Sequence, residues 1–176
     1  MNDLKKAVIL VGHGGLPSDI PSEVVEKFMR VHKGRIKSGG PITDHEIELD
    51  TTIRKWERTP ENDPYKTGLE SLASHMEAML EGYILKTAYN EFCYPGIEDA
   101  VDELSKENVT KIIIVTTMIT RGGSHSENEI PEELSDLSIK YPGIDIQYAW
   151  PYDMNVFASF LTTHIKEFNP LGSATN

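Results

Sequence analysis

Cysteine is nearly missing from this chain. Its 176 residues hold one, Cys93, which excludes an internal disulfide, a CxxC redox motif and a thiolate metal cluster. A cytoplasmic protein is the expectation that fits such usage. Positive charge is short as well: 17 Lys and Arg stand against 28 Asp and Glu, a formal net charge of −11. A general nucleic-acid binder presents a basic face, so no nucleic-acid partner is expected. Long hydrophobic runs are missing too. The apolar run near the N-terminus, Ala7 to Val11, is five residues long, far below the roughly 18 a membrane span requires. No small-residue cleavage site follows it, so neither a signal peptide nor a membrane contact is expected. The sequence also lacks GxGxxG, a P-loop and the nucleophile elbow GxSxG; its nearest strings are "GHGG" and Gly122-Gly123-Ser124-His125-Ser126, which carry little phosphate or esterase signal. The glycosylation sequon at Asn108-Val109-Thr110 has no meaning without secretion.

What remains is an ordinary globular composition, 39% apolar before its 13 glycines are added, at a length that predicts one compact domain. Four segments read as buried strands: Lys6–Val11, Tyr83–Ala88, Lys111–Met118 and Ile144–Trp150. The first and third are nearly continuous apolar runs, as parallel strands covered on both faces require. Helical patterns lie between and after them: Pro21–Ile36, Pro64–Gly82, Pro95–Glu107, Pro131–Lys140, and a last helix carrying Val156, Phe157, Phe160, Leu161, Ile165 and Phe168. This alternation predicts an α/β domain over residues 1–170 with a parallel sheet and right-handed crossovers. Residues 34–63 exceed what a single βα unit needs. Bounded by the breaker clusters "KSGGP" and "TPENDP", they read as an insertion after the first strand, with one helix carrying Ile47, Ile53 and Trp56. Residues 171–176 read as a frayed tail.

Open α/β sheets bind ligands beyond the carboxyl ends of their strands. His13 follows the first strand, Glu91 the second, and Arg121, His125, Glu127 and Glu129 the third; Asp153 follows the fourth. If the first strand lies between the second and third, the first three loops meet in one crevice. Two imidazoles and a carboxylate there form an open site for a borderline divalent metal. The remaining histidines read differently. His75 lies off its helix's apolar stripe and is expected to be solvated. His164, beside the core stripe of the last helix, is expected to be a hydrogen-bonded structural residue. His32 and His45 lie at the end of the first helix and in the insertion, and contact with a substrate is the weaker reading for each.

The strings "VILVGHG", "AYNEFCYPGIEDAVDEL" and "IIIVTTMITRGGSHSENEIP" resemble the sirohydrochlorin chelatases, the cobaltochelatase branch of the class II chelatases. The resemblance spans Ala7–Gly14 and Thr87 to about Ile146. It rests most on the third string, where Gly, His, an acid, Ile and Pro fall in register. It implies a chelatase-like, flavodoxin-like fold with a four-stranded parallel sheet flanked by helices. It also implies a lyase that inserts a divalent metal into an anionic tetrapyrrole, in cobalamin or porphyrin biosynthesis. Cobalt is the first choice of metal, with Fe2+ or Ni2+ as alternatives; the ion is a substrate, and no organic cofactor is implied. The family's two active-site histidines fall on His13 and His125 and its carboxylate on Glu91. Arg121, Gly14, Gly123 and Ser124 are the residues expected to touch the tetrapyrrole, Arg121 by pairing with a carboxylate. One copy of each motif implies the single-module form and hence a homodimer. The sequence departs from the family pattern at Gly15, Thr116, Thr117 and Glu129, and in the insertion.

Metal insertion releases two pyrrole protons. An imidazole, titrating near ~6.5 in the unperturbed state, can perch a metal and take a proton at neutral pH. Two other functions stay open at this level: a metal or tetrapyrrole carrier without turnover, and a hydrolase using His125 with Ser124 or Ser126. The segment Glu26–Lys37 holds five bases and one acid, a local +4. It reads either as a solvated helix face or as an attractor for an anionic ring.

Overall fold

The structure, a computed structural model, describes residues 5–168; the residues expected to form the frayed tail and the first four of the chain lie outside it. Four strands, β1 (Lys5–Gly12), β2 (Tyr83–Tyr89), β3 (Val109–Thr116) and β4 (Asp145–Tyr148), form one parallel sheet in the order β2-β1-β3-β4. The first strand therefore lies between the second and third, and their carboxyl ends converge: Val11 is in register with Ala88 on one side and Thr116 on the other.

β1 is central and covered on both faces, which explains its unbroken apolar run. Its alternate residues serve two cores. Ala7, Ile9 and Val11 pack with Ile97, Ala100, Val101 and Leu104 of α4 (Ile97–Ser105) and with Ile130, Leu134 and Leu137 of α5 (Ile130–Lys140). Leu10 faces the other way, against Leu69 and Ala73 of α3 (Pro64–Glu77) and against Tyr89 and Cys93. The Cys93 thiol is buried, and that burial pushes its pKa up, which keeps it protonated and inert.

Local signals set the helix ends. Asp63 caps α3 by accepting the Lys66 N–H, with Pro64 in the first turn. The sequence reading runs this helix to Gly82; it stops at Glu77, followed by turns through Met79 and Leu80 that lead to Gly82 at φ +79°. α1 (Ser22–Ser38) ends on Gly39 in the left-handed conformation. α2 (Asp44–Arg54) is the helix read within residues 34–63, started by Thr43, which accepts the Glu46 N–H. It is shorter than the sequence suggests. Ile53 is buried on it, but Ile47 is exposed and Trp56 lies beyond its end, where its indole donates to Asp19.

Two expectations need correction. The strand read to Met118 ends at Thr116, and that read to Trp150 ends at Tyr148; one further N–H of each, Thr117 to Val11 and Ala149 to Ile114, still donates across the sheet. More important is α6 (Met154–Phe168), read as a core helix. None of its residues is buried: Val156, Phe160, Ile165 and Phe168 are each more than 60% exposed. A helical apolar stripe states that a face must be covered, not what covers it. His164 is accordingly no buried structural histidine; it lies on the exposed helix, 3.9 Å from Glu167.

Candidate metal centre

The site is built at the ends of β1, β2 and β3. His13 is the first residue beyond β1, and its backbone N–H donates to the Tyr65 hydroxyl at 2.7 Å. Glu91 lies two residues past β2. Its N–H donates to the His13 carbonyl (2.8 Å), and Asn90 donates to that of Gly12 (2.9 Å), so the two loops continue the sheet's pairing beyond the strands. Gly14 makes this approach possible. It adopts φ +90°, and a Cβ there would lie 1.9 Å from the Glu91 carbonyl oxygen; only glycine meets both demands.

The segment read as an insertion closes the back of the site with two arginines. Arg58, almost fully buried with Asp63 at 2.5 Å, donates to the carbonyls of Gly15 (2.7 Å), Ile53 (3.1 Å) and Phe92. Arg54 donates to those of Asn90 (3.1 Å) and Cys93 (3.3 Å). Together they tie the loop that bears Glu91 to the loop that bears His13. The sequence reading does not assign this role to either arginine, since their partners are backbone carbonyls far away in the chain.

His125 is also placed differently from the loop the sequence suggests. It opens a π-helical turn, His125–Glu129, that runs directly into α5. Such turns often mark functional positions. The widened turn puts His125 against Glu129, whose carboxylate lies 2.8 Å from Nδ1. Burial pushes the Glu129 carboxyl up, but the hydrogen bonds from His125 and Ser124 outweigh it and hold it below the usual carboxylate value. The Asn90 amide is 3.0 Å from the same Nδ1.

Both imidazoles are thus fixed through Nδ1. That of His13 donates to its own neighbour's carbonyl, Gly14 O, at 2.8 Å, and that of His125 donates to Glu129. Each ring keeps Nε2 as its free lone pair. The rings meet edge to face with centroids 4.9 Å apart, and Nε2 of His13 is 3.8 Å from a Glu91 carboxylate oxygen. His13, Glu91 and His125, all half-buried, each offer one ligand atom within 4.8 Å of the others. Tetrahedral ligand atoms around a metal at ~2.0–2.2 Å sit about 3.3–3.6 Å apart, so the trio must draw in by up to about 1.5 Å to share an ion. Three such donors leave open positions on the metal.

The other residues expected at the site lie around it. Gly14 is buried inside the loop contact, while Gly123 and Ser124 are exposed ahead of the π turn. Arg121 is 73% exposed and pairs with Glu127 at 3.0 Å, apart from the three donors. The Ser126 hydroxyl is buried and directed at the Gly123 carbonyl, the Ser124 side chain bonds Glu129, and the His125 ring bonds the same carboxylate, so each of the two serines expected of a hydrolase has a partner other than His125.

The CbiX family matches residues 61–158, more than half of the chain. The chain belongs to the CbiX family. Solved structures agree in fold. A putative cobalamin biosynthesis CbiX protein from Marinobacter aquaeolei VT8 aligns with TM-score 0.55 at 16% identity, over 94% of this chain and 98% of its own. The sirohydrochlorin chelatase SirB from Bacillus subtilis subspecies spizizenii, solved with cobalt, aligns with TM-score 0.52 at 18% identity, over 93% of this chain and 51% of its own. SirB from Bacillus subtilis with Fe3+ gives 0.54 and 18%, over 94% and 48%. The chain thus spans about half the length of the SirB chains. A comparison with curated proteins gave no match. Among the described residues of this CbiX-family chain, no helix is long and apolar enough to cross a membrane.

Proposed function

We propose that this CbiX-family chain is a chelatase inserting a divalent metal into an anionic tetrapyrrole, with sirohydrochlorin and cobalt as the first choices and iron or nickel as alternative metals. The observation that carries the reading is the convergence of three donors, two of them imidazoles whose Nδ1 atoms are already engaged and whose Nε2 atoms are free. Binding an ion requires one side of the site; releasing it to a ring requires the other side to stay open. A closed tetrahedral set would retain the ion, whereas two imidazoles and one carboxylate can pass it on. His13 and His125 hold the incoming metal and take protons once it has left them. Glu91 balances charge and opens a proton path. Arg121, on the exposed rim with only a surface pairing to Glu127 to give up, is free to turn toward a tetrapyrrole carboxylate.

The test is an anaerobic absorbance assay with sirohydrochlorin and Co2+, Fe2+ or Ni2+. His13→Ala and His125→Ala are expected to fall to the spontaneous insertion rate while remaining folded. Rates near wild type in both variants would overturn the assignment. Several turnovers per protomer separate an enzyme from a carrier. The oligomer proposed with this function is a homodimer, supported by the uncovered apolar face of α6.

A further inference from the structure

A cavity of about 290 Å³ opens between α1, α2 and the loop after β2. Phe28 and Phe92 give it apolar wall, and its charged and titratable lining is His32, Arg35, Glu46, Asp50, Arg54 and Glu91. Two features set it apart from a surface cleft. Glu91 belongs both to this cavity and to the metal donors, so the two spaces adjoin. Glu46 is a carboxylate only 1% exposed, held by Arg35 Nε at 2.8 Å and by His32 Nδ1 at 2.8 Å. With its Nδ1–H donated to a buried carboxylate, the His32 ring keeps Nε2 as an acceptor, on a side chain 35% exposed at the cavity. Arg54 is held by Asp50 and by the carbonyls of Asn90 and Cys93, and a guanidinium offers no lone pair, whereas the His32 imidazole offers one at the cavity.

Metal insertion creates a need for such a base. An Nε2 lone pair that holds a metal cannot accept a proton at the same time, so His13 and His125 are occupied at the moment the ring must begin to lose its N–H protons. We propose that this cavity is the exit path for a pyrrole proton, with Glu91 at its inner end and the His32–Glu46 pair as its outer acceptor. The inference rests on the chelatase reading. As the metal passes to the ring, two pyrrole N–H bonds break, and the electron pairs left on nitrogen form two metal–nitrogen bonds. One proton moves through water in the cavity, for which ~30 Å³ per molecule leaves ample room, past Glu91 to Nε2 of His32. The imidazolium formed keeps its Nδ1–H bond to Glu46, whose negative charge stabilises it, as a buried carboxylate does for the histidine of a catalytic triad. The second proton goes to His13 or His125 as the metal leaves its Nε2. Both protons then pass to bulk water.

The test compares wild type, His32→Ala and His32→Gln in the cobalt–sirohydrochlorin assay, with and without added imidazole. His32→Gln retains an N–H donor for Glu46 and guards against a fold defect, which circular dichroism checks. Both variants are expected to lose about 10- to 100-fold in kcat, with KM for the tetrapyrrole and the Co2+ affinity read from its visible spectrum each within about twofold of wild type. Imidazole is expected to restore His32→Ala, in proportion to its neutral fraction as pH is varied. Wild-type kcat in either variant, or a loss that imidazole does not restore, overturns the proposal. A wild-type protein with no insertion above the spontaneous rate overturns the chelatase reading itself, and this inference with it.

Discussion

Glycine 14 is the smallest residue at the metal centre and among the least replaceable. A methyl group there would lie 1.9 Å from the Glu91 carbonyl oxygen, and the backbone sits at φ +90°. Gly14→Ala must therefore push the His13 loop from the Glu91 loop and also strain the backbone, at a cost of about 1–3 kcal/mol. We expect it to lower the melting temperature and to weaken Co2+ binding in a spectroscopic titration, whereas Gly34→Ala, a position with open space around it, should do neither. Glu129 acts one bond further out. Its carboxylate fixes the His125 tautomer through Nδ1, and loss of such an outer partner commonly costs ~10–100-fold in metal affinity. Glu129→Gln should show that loss in the same titration with an unchanged melting temperature; an unchanged affinity would mean that His125 orients without it. The sequence shows the acid four residues beyond His125 but not its contact, because a loop reading hides the i, i+4 proximity that the helical turn creates.

At the scale of elements, the strands are legible and the helix surroundings less so. β1 and β3 lie inside the sheet, and strands buried there read as apolar runs whatever their partners. Their order does not follow from the alternation alone; the observed order β2-β1-β3-β4 meets the condition under which His13, Glu91 and His125 come together. The α1–α2 pair is another matter. Only Phe28 is buried on α1, and on α2 only Glu46 and Ile53, so no apolar stripe announces the contact. A cluster around the buried Glu46 carboxylate joins them, and partners 11 and 14 residues away in the chain carry no periodic signal. Arg35, Glu46 and His32 thus account for part of the basic segment: Arg35 faces inward to Glu46 and is not free to attract an anionic ring. The cluster makes this pair of helices acid-sensitive. The Arg35 hydrogen bond holds the Glu46 carboxyl below its ordinary 4.5, against its burial and with help from His32. A carboxyl with a depressed folded value stabilises the fold above its unfolded value and loses that contribution as pH falls through the folded one. Hydrogen exchange should show α1 and α2 loosening below about pH 4.5 before the sheet does. In Glu46→Gln that acid-driven loosening should vanish while protection at neutral pH drops.

For the whole molecule, net charge and surface pattern give opposite signals about association. A second copy brings another −11, and like charges repel at separations within the ~8–10 Å screening length of ordinary buffers. α6 is where that repulsion is weakest. Between Met154 and Phe168 it holds one Lys and one Glu, and it exposes Val156, Phe160, Leu161, Ile165 and Phe168 on a helix with no buried residue. Covering large apolar side chains is worth ~1.5–3 kcal/mol each when complete, so a partner copy meeting α6 gains more here than on any acidic face. The sequence reading assigns this stripe to the protein's own core; the homodimer it also expects offers the same stripe a different cover. If α6 is the dimer face, Phe160→Glu with Ile165→Glu should yield a monomer by sedimentation at micromolar concentration. Its melting temperature, extrapolated to low concentration, should match wild type, because among the described residues Phe160 and Ile165 are each more than 60% exposed and Phe160 stacks on Phe157 and His164 of its own helix. The wild-type dissociation constant should change little, or tighten, between ~50 and ~500 mM salt, as expected where apolar burial dominates and residual like-charge repulsion is screened. A wild-type chain that sediments as a monomer, or a dimer untouched by the double substitution, would leave α6 for another partner.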